Sequence, residues 1–187
     1  SQSAAFQVVI PAKEFFTAAM NFLLSSFQRF LITPSSYTVG SSKKNFGLIS
    51  FANSAAPIIK IGPLTTSNAD DVKKQIKSGV GGPNGATNYI DAFKVATGEF
   101  QRRDPKNLNC KILIWFTDGG FQIKSEDTNE EVLLLENKFC SNDGFVSDIQ
   151  KNDINTFVVF LGTGTSSDGD TQKRMDVSID AMQVITG

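Results

Sequence analysis

Five consecutive apolar residues, Ile112-Leu113-Ile114-Trp115-Phe116, constrain this chain more than any other feature. A strand with one wet face alternates apolar and polar side chains. An unbroken apolar run is a strand covered on both faces, which places it in the middle of a parallel sheet. Thr156-Phe157-Val158-Val159-Phe160-Leu161, closed by Gly162-Thr163-Gly164, reads as a second buried strand. Phe46, Leu48, Ile49 and Phe51 mark another, and Asn53-Ser54-Ala55 reads as a turn. Ile58, Ile59 and Ile61 mark a short strand close behind it, so these two pair antiparallel and give the sheet one antiparallel edge.

Helical periodicity fills the intervals. Phe15, Ala19, Phe22, Leu23, Phe27, Phe30 and Leu31 form a stripe between Pro11 and Ile32, and Pro11 suits the first turn of that helix. Ser67-Asn68-Ala69-Asp70-Asp71 starts a helix that runs to about Ser78 and stops at Gly79. After the glycine-rich loop Gly79 to Gly85, a helix runs from Thr87 or Asn88 to about Arg102. Further helices are expected near Glu130 to Lys138, Phe145 to Lys151 and Thr171 to about Met182, and Val184-Ile185 fits the opening of another strand. Strands alternating with helices predict an α/β, three-layer, Rossmann-like domain. Its sheet is mostly parallel with one antiparallel edge strand and helices on both faces. Ligands of such sheets sit outside the carboxyl ends of the strands.

The 187 residues suit one domain, residues 1–187, and the formal net charge of −1 lacks the basic footprint of a nucleic-acid binder. Histidine is absent, which removes the usual routes to nucleophilic catalysis and the commonest zinc ligand. Cys110 and Cys140 are too few for a disulfide framework and leave two readings open, one bridge or two buried thiols. The apolar stretch Phe15 to Ile32 is interrupted by Asn21, Gln28 and Arg29, so no membrane insertion by this segment is expected.

Three loops are expected to meet at the carboxyl edge: Ser1-Gln2-Ser3, Gly85-Ala86-Thr87-Asn88, and Phe116-Thr117-Asp118-Gly119-Gly120. Their donors are all oxygens. Such a set suits Mg²⁺, or Mn²⁺ and Ca²⁺ less strictly, with room for an acidic oxygen from outside. Taken singly, Asp118 also reads as a turn cap, Thr87 as a helix cap, and Asp91 as compensation of a helix dipole. Asp168-Gly169-Asp170 lacks the spaced oxygens of a calcium loop and reads as a solvated turn. Glu126, Asp127, Glu130 and Glu131 read as a solvated helix start.

These segments, in this order, resemble the von Willebrand factor A domain, the family of the integrin inserted domains. Its metal-ion-dependent adhesion site has Asp-x-Ser-x-Ser after strand one, a threonine before a helix, and Thr-Asp-Gly after strand four. The resemblance assigns Ser1 and Ser3 to the two serines, Thr87 to the threonine and Asp118 to the aspartate. It implies an adhesion or protein-binding module, not an enzyme, whose cation accepts a carboxylate from a protein ligand or an extracellular matrix or surface component. The same resemblance implies an extracellular or cell-surface setting. On this alignment the family's first strand, and the aspartate ending it, would lie before Ser1, and its closing strand and helix beyond Gly187. The chain accordingly reads as part of a longer protein. Two other readings remain: a family member that binds by surface shape without metal, and a Mg²⁺-dependent hydrolase using Asp118. The hydrolase lacks a second carboxylate beside Asp118, and no Gly-Lys-Ser/Thr phosphate loop is present.

Overall fold

The computed structural model describes residues 3–11, 25, 43–65, 67–79, 86–102, 110–117, 120–123, 128–160 and 166–186. Among the described residues five strands form one sheet: β1 (Ser3–Pro11), β2 (Lys43–Phe51), β3 (Ala55–Pro63), β4 (Cys110–Thr117) and β5 (Ile154–Phe160). Five helices among the described residues accompany them: α1 (Ala69–Gly79), α2 (Tyr89–Arg102), α3 (Thr128–Cys140), α4 (Phe145–Lys151) and α5 (Gly169–Thr186). The strand order is β3-β2-β1-β4-β5. β1 runs parallel to β2 and β4, and β4 parallel to β5, while β2 and β3 are antiparallel. The mostly parallel α/β sheet with one antiparallel edge therefore stands as the sequence predicts.

One expectation fails. The central strand is not missing ahead of Ser1; it is Ser3–Pro11, with Val8 opposite Leu48 on one side and Ile114 on the other. Its signal is diluted by Ala4, Ala5 and a central Gln7, and Pro11 imitates a helix start. Pro11 is instead the last residue of the strand, opposite Phe51, where the ladder ends and a missing N–H costs little. The stripe from Phe15 to Leu31 lies, apart from Ser25, outside the described residues. Val184 and Ile185 belong to α5 and open no strand.

Alternation along the strands sorts the core into two layers. Ala5, Val9, Ile49, Phe51, Leu113 and Trp115 face α2 to α5, where Phe93 stacks on Trp115 with ring centroids 4.1 Å apart. Val8, Phe46, Leu48 and Phe116 face the other way, toward Val72 and Ile76 of α1. Gln7 is fully buried, and neither polar atom of its side-chain amide has a hydrogen-bond partner among the described residues. Cys110 and Cys140 are free and exposed, so they are neither bridged nor the buried thiols of the alternative reading.

The antiparallel edge carries an irregularity with its own support. Phe46 pairs with Gly62 and Leu48 with Ile59, so Gly47 alone faces Lys60 and Ile61, the signature of a β-bulge. A Cβ at Gly47 would lie 2.8 Å from Ile61 Cγ1, which is why glycine stands there. The bulge turns the Ile61 backbone away from the ladder. Glu99 Oε2 accepts its N–H at 3.0 Å, and Arg102 Nη2 donates to its carbonyl at 3.1 Å. Arg102 also holds both Glu99 oxygens, at 3.0 and 2.8 Å. Burial pushes the Glu99 carboxyl up, but the Arg102 and Ile61 hydrogen bonds, with the charges of Arg102 and Lys60, outweigh it. The net effect is a lowered pKa.

Candidate functional site

At the carboxyl edge of the sheet, three backbone segments among the described residues are stitched to one another. Thr87 and Gln122 form an antiparallel bridge, with Thr87 N–H donating to Gln122 O at 2.8 Å and Gln122 N–H to Thr87 O at 3.1 Å. The turn between β2 and β3 joins them. Ala86 N–H donates to Asn53 Oδ1 at 2.6 Å, Asn88 N–H to Ala52 O at 2.9 Å, and Asn88 Nδ2 to Asn53 O at 3.1 Å. Asn88 Oδ1 accepts the Asp91 N–H at 3.1 Å and so caps α2. Asp91 accepts the Ala55 N–H at 2.6 Å, which fixes the start of β3 to the helix beyond any dipole effect. Below the bridge, the Tyr89 hydroxyl meets the Thr117 hydroxyl at the end of β4.

A second set of contacts holds the segment after β4 from behind. Ser178 of α5 accepts the Phe121 N–H at 3.1 Å, and Glu131 of α3 accepts the Ile123 N–H at 3.0 Å. Arg174 of α5 forms an ion pair with Glu131, donates to Thr128 Oγ1 at 3.1 Å and reaches Phe121 O at 3.5 Å. Glu131 is therefore no solvated helix residue; it is 2% exposed and part of a clamp. The sequence does carry a signal for this. Glu131, Leu135 and Phe139 fall at i, i+4 and i+8 on the buried stripe of α3, and an acid in such a stripe requires a cationic partner. Nothing local singles out Asn53, Gln122, Arg174 or Ser178, whose roles depend on distant backbone.

Of the expected cation ligands, Thr87 lies on this edge, 2% exposed, with its backbone committed to Gln122. Asp118 follows the last residue of β4 in the sequence but lies outside the described residues, as does Ser1. Ser3 is not on this edge. It opens β1 opposite Lys43, the first residue of β2, and seven residues of strand at about 3.3 Å each put it on the order of 20–25 Å from the end of the ladder. The sequence that follows β1 is Ala12-Lys13-Glu14-Phe15-Phe16, with no Asp-x-Ser-x-Ser. Of the family's pattern the sequence offers Thr87 and Asp118, with no Asp-x-Ser-x-Ser after β1. These residues do not fit the ion, and the assignment of Ser3 to it is corrected by the position of β1. Among the described residues no group of three or more His, Cys, Asp or Glu is placed to hold a metal.

A parallel sheet with one antiparallel edge, helices on both faces and stitched loops at the carboxyl ends of its strands defines a doubly wound α/β binding fold. Within that class, the family model of the von Willebrand factor type A domain matches residues 7–121, and the chain belongs to that family. No curated protein sequence matches it significantly. Among solved structures it is similar to proximal thread matrix protein 1 from the mussel byssus, with a TM-score of 0.53 and 17% identity over 100% of this chain and 46% of that one. It is also similar to three N-terminal domains of the type V pili tip protein Mfa5 from Porphyromonas gingivalis, with a TM-score of 0.44 and 16% identity over 64% of this chain and 20% of that one. The chain thus spans less than half the length of either protein. Membership of this family makes the domain a protein-interaction or adhesion module. Among the described residues no helix is long and apolar enough to cross a membrane.

Proposed function

We propose that this domain binds a protein partner through the carboxyl edge of its sheet and does so without a divalent cation, as a recognition module and not a catalyst. The observation that carries this is the Thr87–Gln122 bridge. Residues 86–88 and 121–123 are fastened to each other there, and behind them to Asn53, Ser178, Glu131 and Arg174, so this part of the edge has a backbone frame in place before any partner arrives. A backbone frame fixed by such bonds loses little conformational freedom on binding, which favours recognition by a shaped surface. A cation-centred mode would depend on Thr87 and Asp118 without the donors that the family places after its first strand. We place the partner outside the cell, in a matrix or on a surface, which the likeness to a byssal thread matrix protein supports.

A photo-crosslinking side chain at position 122, compared with one at position 152 at the opposite end of the sheet, tests this. Exposed to matrix and surface proteins of the source organism, position 122 is expected to give discrete adducts that persist in chelator, and position 152 none. Adducts confined to position 152 would overturn the proposed edge. Adducts at 122 abolished by chelator and restored by Mg²⁺ would return the cation to the mechanism.

A further inference from the structure

We draw no further inference here: the strongest candidate, the outer edge of β5 where Phe157 and Val184 of α5 stand exposed beside a groove of about 310 Å³, is an apolar face and nothing in the structure shows what covers it.

Discussion

Two acid–arginine pairs do the same task in this domain at different depths. Glu99 and Arg102, three residues apart on α2, hold the N–H and carbonyl of Ile61 where the bulge has turned them out of the ladder. Glu131 and Arg174, on α3 and α5, hold Ile123 N–H and Phe121 carbonyl where the chain has left β4. The first pair is local and half wet, with the Arg102 side chain 44% exposed. The second ties two helices together, with side chains 11% and 2% exposed. A polar backbone leaving a sheet needs a substitute partner in both places. The wet pair can borrow water when it fails, and the buried pair cannot.

The largest expected effect follows from that difference. Arg174→Met leaves Glu131 buried without its cation and should cost about 3–5 kcal/mol in chemical denaturation. Adding Glu131→Leu removes the orphaned charge and should recover part of the loss. The double variant should still fall about 2 kcal/mol short of wild type, because Ile123 N–H and Phe121 carbonyl have lost their partners. A double variant as stable as wild type would show that the pair is only an ion pair and holds no backbone.

Glu99→Gln is the matching change on the wet side. It keeps an acceptor for Ile61 but loses the charge, and the cost should be about 1 kcal/mol, discounted for the exposure of Arg102. Its pH dependence identifies the cause. The folded pKa of Glu99 lies below its ordinary 4.5. Its stabilisation is therefore complete above that value and is lost as the pH falls through the folded pKa. The difference in melting temperature between wild type and Glu99→Gln should be constant near neutrality and shrink in acid below about pH 4.5. A gap that stays constant through that window would mean the carboxylate charge contributes nothing.

The smallest effect concerns a buried polar group with no clamp. Gln7 lies in the middle of β1 with its amide unmatched among the described residues, opposite Gly47 and Leu113. Gln7→Met keeps the volume, removes the unmet polar atoms and should stabilise by about 0.5–1 kcal/mol in the same assay. Destabilisation would show that the amide has a partner and belongs with the clamped groups.

Much of the sheet was legible because its signals are local. The apolar run at Ile112 to Phe116 and the close pair Phe46 to Phe51 and Ile58 to Ile61 report burial and pairing within a few residues. β1 was hidden for an equally local reason, since Ala4, Ala5, Gln7 and Pro11 weaken its pattern while Pro11 imitates a helix start. That one misplaced element carried the placement of Ser3 with it. Moving the first strand to Ser3–Pro11 sends Ser3 to the far edge of the sheet and replaces the expected serine pair with Ala12-Lys13-Glu14.

What the sequence determined by itself is the architecture: buried strands alternating with helices allow few arrangements other than a doubly wound sheet. It also determined the chemical inventory, oxygen donors with no imidazole. Tertiary structure alone decided which of those groups meet. Thr87 joins Gln122, and Glu131 joins Arg174, across long separations in the chain, because the need they answer is set by where the sheet ends and leaves backbone without partners. That geometry exists only once the strands are in register.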